Sequence, residues 1–245
     1  MFKYQYDANE LTSFFNMIST FNQEATIHAK EGVLSTMVVD LSTTMMMWSS
    51  LQAKRFEPEP LDTDIFVMNV EEVLSYLKSF KGEVTVEFKE NIFSLSSESK
   101  SASIRTLGES PISSKTPPVS EVVIVHLEEG EFKDYISSYA PLVKKFDAIS
   151  FTTNTEGVSI EGVSEYKKGD LVVKIPKTKV EKSVVGQVGT YSIEFLLDII
   201  KNMPKGKTSF YFQKDFPIHI HTTSSDGAHN MRIWIAPRIS DDLDE

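Results

Sequence analysis

The chain has 245 residues and a mass of 27.6 kDa, room for one large domain or two of about 120 residues each. With 35 acidic against 25 basic residues the net charge is -10, which argues against a conventional basic nucleic-acid binder unless the bases are gathered on one surface. The absence of cysteine excludes disulfides, thiol catalysis and cysteine metal sites and fits a reducing compartment; no stretch approaches the roughly 18 consecutive apolar residues of a membrane span, and Met1–Tyr6 lacks the apolar core of a signal peptide.

Alternation over Phe2–Tyr6 predicts an opening strand. Asn9 is then expected to cap a helix whose Leu11, Phe14, Phe15 and Ile18 share one face. Strands are predicted at 25–30 and 33–40, joined by Glu31-Gly32, and at 45–51. A Pro- and acid-bearing loop covers 56–64. A strand at 65–68 leads to Asn69, a second N-cap, and to a helix with Val70, Val73, Leu74 and Leu77 inward, stopped by Gly82. Strands follow at 84–89, 92–97 and 101–107.

Residues 108–120 carry three prolines and read as an extended linker. Beyond it come a strand at 122–127 and a helix at 130–139 that Pro141 ends or kinks. Strands are expected at 148–153, 158–163, 171–176 and near 180–188. A fourth helix covers 192–202 with Ile193, Leu196, Leu197 and Ile200 inward. Strands at 208–213, 217–222 and 231–236 finish the pattern, and the acidic tail from Ser240 is expected to fray.

The pattern repeats. Glu31-Gly32-Val33 returns as Glu156-Gly157-Val158, 125 residues on, and Lys81-Gly82 returns as Lys205-Gly206, 124 residues on. Two landmarks that agree within one residue point to duplication of one α+β unit. The expected organisation is an N-terminal domain over 1–108, a connector over 109–121 and a C-terminal domain over 122–245, each domain packing two helices on antiparallel sheet.

Charge is unevenly spread. The four helical segments hold eight bases, Lys78, Lys81, Lys133, Lys144, Lys145, Lys201, Lys205 and Lys207, against seven acids, while everything else is strongly acidic. A surface facing a polyanion has this composition, since each phosphate contact needs a local cation. Lysines gathered at helix C-termini to complement the dipole explain several of the same positions.

No catalytic motif stands up. Gly206-Lys207-Thr208 lacks the earlier glycine and the strand-to-helix setting of a phosphate loop. Gly186-Gln187-Val188-Gly189 lacks the third glycine of a dinucleotide site, there is no Gly-x-Ser-x-Gly elbow, and the acidic tail lacks EF-hand spacing. His219 and His221 share a strand face and would need a third ligand, with His229 nearest in sequence, to hold zinc. No cofactor is expected.

The closing run Trp234-Ile235-Ala236-Pro237-Arg238-Ile239 resembles the C-terminal signature of the PCNA-type DNA sliding clamps, as does the block from Tyr191 to Lys201. Asp215-Phe216-Pro217-Ile218 is similar to the family's turn before its penultimate strand, and Gly130-Glu131-Phe132 to the opening of its third helix. The resemblance implies the DNA-clamp fold and a non-enzymatic, trimeric processivity factor. Its subunits, alike or different, would close a ring around duplex DNA without reading sequence and tether polymerase, clamp loader, nuclease and ligase through short peptides. It implies a cytoplasmic location in a prokaryote, a nuclear one in a eukaryote and the host cell for a virus. By this likeness the eight helix lysines face DNA, Lys201 and Lys78 foremost.

The likeness also has departures. The first helix has no base where the family usually offers several, and Ser137 and Ser138 stand where an arginine is common. The partner-peptide pocket would be lined by Val39, Thr43, Thr44, Met45, Thr116, Pro117, Pro217, Trp234, Ala236 and Pro237, with Trp234 in place of a usual tyrosine. Subunits would join edge to edge, Ser101, Ser103, Arg105 and Leu107 of one chain beside Leu171, Val173, Ile175 and Lys177 of the next. A specialised clamp-like subunit of a heterotrimer with little DNA contact of its own is the alternative, and a metal-dependent hydrolase built on His219 and His221 a more distant one.

Overall fold

The computed structural model describes residues 2–57, 64–108, 115–119, 121–164 and 167–238. Most of the expected connector and the acidic tail lie outside these residues. The chain divides into two compact units, Met1–Thr116 with Asp226–Arg232, and Pro117–Ser225 with Ile233–Glu245.

The first unit opens with β1 (Phe2–Asp7) and α1 (Ala8–Phe21). Asp7, rather than the expected Asn9, is the N-cap: its carboxylate accepts from the Asn9 N–H at 2.8 Å. Both residue types can cap, and the chain leaves β1 at Asp7 with extended dihedrals, so the first acceptor in line wins. The predicted inner face of α1 is buried, and Ala8, Met17 and Phe21 join it. Next come β2 (Glu24–Lys30), β3 (Val33–Val39), β4 (Met45–Gln52), β5 (Arg55–Phe56) and β6 (Asp64–Asn69). Then α2 (Val70–Leu77) buries Val70, Val73, Leu74 and Leu77 as expected, and β7 (Glu83–Lys89), β8 (Ile92–Ser96) and β9 (Ser101–Arg105) complete the copy. One sheet of this unit runs β5-β1-β7-β8-β9; in the other, β4-β3-β2-β6 is extended beside β4 by the last strand of the chain.

The second unit repeats this order with β10 (Val123–Leu127), α3 (Glu131–Ser137), β11 (Ala148–Asn154), β12 (Gly157–Ser164), β13 (Lys167–Pro176), β14 (Val180–Lys182), β15 (Val188–Ser192), α4 (Ile193–Asn202), β16 (Gly206–Phe212), β17 (Ile218–Ser224) and β18 (His229–Ile235). Its sheets run β14-β10-β16-β17-β18 and β13-β12-β11-β15, strand for strand the order of the first copy. Residues His229–Arg232 of β18 count with the first unit and the rest of that strand with the second.

The helix expected over 130–139 is shorter, Glu131–Ser137, followed by a single 3-10 turn at Ala140–Leu142 that contains Pro141. The strand expected near 180–188 is two strands separated by a loop. There the Thr153 hydroxyl donates to the Val184 carbonyl at 2.6 Å and accepts from the Gln187 N–H at 2.9 Å, in place of a ladder. In α4 the inner face holds Ile199 rather than Leu197.

Pairing also settles the repeat. Lys30 faces Val33 across the first hairpin and Asn154 faces Gly157 across its counterpart, each residue 124 positions from its equivalent. The buried phases agree: Val84, Val86 and Phe88 in β7 correspond to Thr208, Phe210 and Phe212 in β16, all buried. The Glu-Gly-Val match at 125 is therefore one residue out of structural register. Glu31 and Gly32 form the first turn with positive φ at both, as a two-residue hairpin requires, whereas Gly157 opens β12. Its own reason is steric, because a Cβ there would overlap the Ile175 carbonyl oxygen.

Each unit packs its two helices side by side over its sheets. Aromatic rings dominate the space between: Phe15, Phe66 and Phe93 in the first unit, Phe151, Phe210 and Phe212 in the second. Each fully buried ring contributes roughly 1.5–3 kcal/mol of transfer free energy.

Candidate functional site

All eight helix-segment lysines are exposed. Lys78 is the C-cap residue of α2, and Lys81 follows beside the strand face that carries Lys3, Gln5 and Thr85. In the second unit Lys133 rises from α3, Lys144 and Lys145 follow the 3-10 turn, Lys201 lies in the last turn of α4, and Lys205 and Lys207 flank the entry to β16. Lys201 pairs with Asp198 one turn earlier at 2.6 Å, and Lys207 with Glu128 at 3.4 Å. The other six make no ion pair among the described residues. Their charges are open to a ligand, and at this exposure each pair or contact is individually weak. The outer face of α1 is hydroxyl and amide: Thr12 donates to the Ala8 carbonyl, and Ser19 and Thr20 to that of Asn16.

The residues expected in a peptide pocket divide between the units. In the first unit Val39, Thr43, Thr44 and Met45 frame the β3–β4 turn, and its organiser is Asp40. The Asp40 carboxylate accepts from the Met45 N–H at 2.6 Å, from the Thr44 hydroxyl at 3.0 Å and from the Ser42 hydroxyl. Partial burial pushes this carboxyl up, but the hydrogen bonds from Ser42, Met45 and Thr44 together outweigh it and hold Asp40 below its ordinary value. The turn holds Thr43 at φ 58°, costly for a β-branched residue. It also presents Leu41 with 91% of its surface exposed. Neither Asp40 nor Leu41 was among the expected pocket residues. The signal was available, an Asp two before a Ser with an isolated leucine between them.

Thr116 and Pro117 lie in the described stretch of the connector. In the second unit Pro217 precedes β17, and Ala236 and Pro237 follow β18. Trp234 is only 4% exposed, and its ring stacks on His219 with centroids 4.7 Å apart. Tyr211 lies tilted against the same His219, with ring centroids 5.1 Å apart. Trp234 is therefore a packed side chain of its strand, and its indole Nε1 has no hydrogen-bond partner among the described residues.

The expected joining residues lie on edge strands. Ser101, Ser103 and Arg105 point outward from β9, the last strand of its sheet, and Leu107 follows it, exposed. β13 is the last strand of the opposite sheet type, with Ile175 buried and Leu171 and Val173 half-buried on one face; Lys177 begins the 3-10 turn after it and donates to the Ser183 hydroxyl at 2.7 Å.

No group of three His, Asp or Glu side chains among the described residues is placed to hold a metal ion. His219 is engaged in the aromatic row with Trp234, and His229 belongs to the first unit, where its Nε2 lies 2.9 Å from the Ser49 hydroxyl. Burial pushes His229 down to about 4, so it is neutral at physiological pH.

No protein-family model and no curated protein sequence matches the chain. Solved structures do. The chain is similar to A. fulgidus PCNA, in a structure with the C-terminal region of FEN-1 bound, at TM-score 0.86 and 17% identity over 98% of this chain and 100% of that one. It is similar to Thermococcus kodakaraensis PCNA at TM-score 0.83 and 15% identity, over 97% and 100%. A chain of the PCNA2–PCNA3 complex of Sulfolobus tokodaii matches at TM-score 0.80 and 17% identity, over 96% and 99%. The fold is that of the PCNA-type clamps.

Proposed function

We propose that this chain is a subunit of a DNA sliding clamp, a non-enzymatic ring that encircles duplex DNA and tethers replication and repair proteins. The observation that carries this is the clamp fold over the full chain, with the same strand order in both copies. Six exposed lysines with no ion pair among the described residues, Lys133 in α3 and the others at or beyond the C-terminal ends of α2, α3 and α4, support a phosphate-facing wall on an acidic protein. A topological tether needs no tight grip, so a modest excess of cations suffices. The A. fulgidus relative with a FEN-1 segment bound supports peptide-mediated tethering, and the Asp40-organised turn with exposed Leu41 is our candidate anchor point in the first unit. The subunits would stand in the compartment where DNA is copied.

The test is retention on DNA. Assembled protein on a nicked circular plasmid is expected to stay bound at moderate salt and to be lost within minutes once the plasmid is linearised. Equal retention on circular and linear DNA would overturn the tether.

A further inference from the structure

Strands β14, β10 and β16 lie side by side in the second unit, and a polar row crosses their solvent face. His126 of β10 sits opposite Ser209 of β16 in the ladder, with its Nδ1 2.7 Å from the Ser209 hydroxyl, while its Nε2 lies 2.5 Å from a carboxylate oxygen of Glu181 in β14. The His126 and Glu181 side chains are 49% and 61% exposed and Ser209 is half-buried, so the row is open to solution. A carboxylate can only accept. In the neutral imidazole Nε2 therefore carries the proton toward Glu181, Nδ1 keeps its lone pair, and the Ser209 hydroxyl donates to it. A hydroxyl bonded to an imidazole that a carboxylate orients is an activated nucleophile.

The sheet itself does not require this row. The first copy keeps the same ladder with Gln5 opposite Thr85, and Gln5 donates to Glu83 at 2.9 Å instead. An amide is no base, so of these two equivalent positions only the second sets a proton acceptor beside a hydroxyl. The backbone then limits what the hydroxyl can attack. β16 is paired on both sides, so its N–H groups are committed to the ladders and are not available to hold an oxyanion. The reacting partner must bring a good leaving group of its own.

We infer that Ser209 is a covalent modification site that takes an acyl group from activated esters (aryl esters or acyl thioesters), with His126 as its base and Glu181 as the positioning residue of that base. Ser209 Oγ bonds to the acyl carbon while its proton passes to His126 Nδ1. The bond to the leaving group breaks, and the proton departs with the phenolate or thiolate. An acyl-serine and a free phenol or thiol result, with nothing oxidised or reduced. With the backbone donors committed, deacylation is unassisted and the ester accumulates, so the chain is modified rather than turning substrate over. The clamp reading needs none of these residues and stands apart from this inference.

The test treats the full chain with p-nitrophenyl acetate and locates the acetyl group by peptide mass spectrometry. The wild type is expected to release about one equivalent of p-nitrophenol in a burst and to carry the acetyl on Ser209. S209A is expected to lose the burst, H126Q to slow it about hundredfold and E181Q about tenfold, with E181D recovering most of the rate. A fluorophosphonate, from whose phosphorus Ser209 Oγ displaces fluoride as the proton leaves through His126, probes the same nucleophile in the wild type and needs no variant to fold. The inference is overturned if Ser209 stays unlabelled by both reagents while lysines react, or if H126Q labels at the wild-type rate. Either result leaves the clamp reading to the plasmid test.

Discussion

β4 in the first unit has a neighbour on each side; β13, its equivalent in the second, has one among the described residues. The two strands descend from one duplicated element and share hairpin register, yet β4 is uncharged and β13 is rich in lysine. The difference follows from what each must face. A strand covered by its own chain can be neutral and packed, while a strand left open must avoid indiscriminate pairing, and lysines on the edge do this. The same divergence marks the glycines. Gly82 and Gly206 are 124 residues apart at equivalent points, but Gly82 has φ 72° with open space around it, whereas Gly206 lies in a strand against the Thr223 carbonyl. One is retained for backbone conformation and the other for close approach.

That contrast gives the largest expected effect. Gly206→Ala should cost roughly 2–4 kcal/mol, because backbone cannot yield as a flexible side chain would. Gly82→Ala should cost about 1 kcal/mol, the strain of a left-handed alanine. Urea unfolding of the two variants measures both, and equal losses would break the distinction between the copies.

The covered edge should respond to acid. His229, 3% exposed and bonded to Ser49, is held neutral by burial with its pKa lowered to about 4 from 6.5. The unfolded chain takes up the proton first as pH falls, so this stabilisation is complete above about pH 6.5 and is lost between there and pH 4, about 3 kcal/mol in all. His229→Gln should flatten this part of the stability–pH curve. An unchanged curve would show that the residue is not the acid-sensitive group.

Asp40→Asn should loosen the β3–β4 turn for about 1 kcal/mol, since a neutral amide is a weaker acceptor for Met45, Thr44 and Ser42. The wild-type contribution is present above the ordinary carboxylate value and fades as pH falls below it, the opposite side of neutrality from any lysine effect. Hydrogen exchange at Met45 reports it directly.

The smallest effect at moderate salt belongs to Lys78→Ala combined with Lys201→Ala, one lysine from each unit. Stability should hold within about 0.5 kcal/mol, because both side chains are exposed. The slope of log affinity for duplex DNA against log salt should fall by about one for each phosphate contact removed. An unchanged slope would take these two lysines off the DNA-facing wall.

Much of this was legible in the chain. The inner faces of α1 and α2 are set by apolar spacing, and all the predicted residues there are buried, because a helix of fixed period has only one way to hide Leu11, Phe14, Phe15 and Ile18 together. In α4 the apolar arc covers more than half the circumference, and Leu197 lies at its margin beside the polar arc while Ile199 lies nearer its centre, so Ile199 is the one buried. The Glu-Gly-Val landmark misled by one residue because a glycine serves a turn at 32 and a close strand crossing at 157, and composition does not tell the two uses apart. The family resemblance, not a local pattern, suggested Trp234 as a pocket residue; its burial and its stacking on His219 depend on which strands are neighbours.

By itself the sequence determined the local order of elements, the duplication and the sign of the charge on each strand, since these follow from side-chain periodicity, turn chemistry and counting. Only the tertiary structure decided which strand edges are covered and which are left open, because an edge is defined by its neighbour, and β18 reaches β4 from 177 residues further along the chain at its nearest strand ends. No local pattern spans that distance; hydrogen bonding across it is a property of the folded whole.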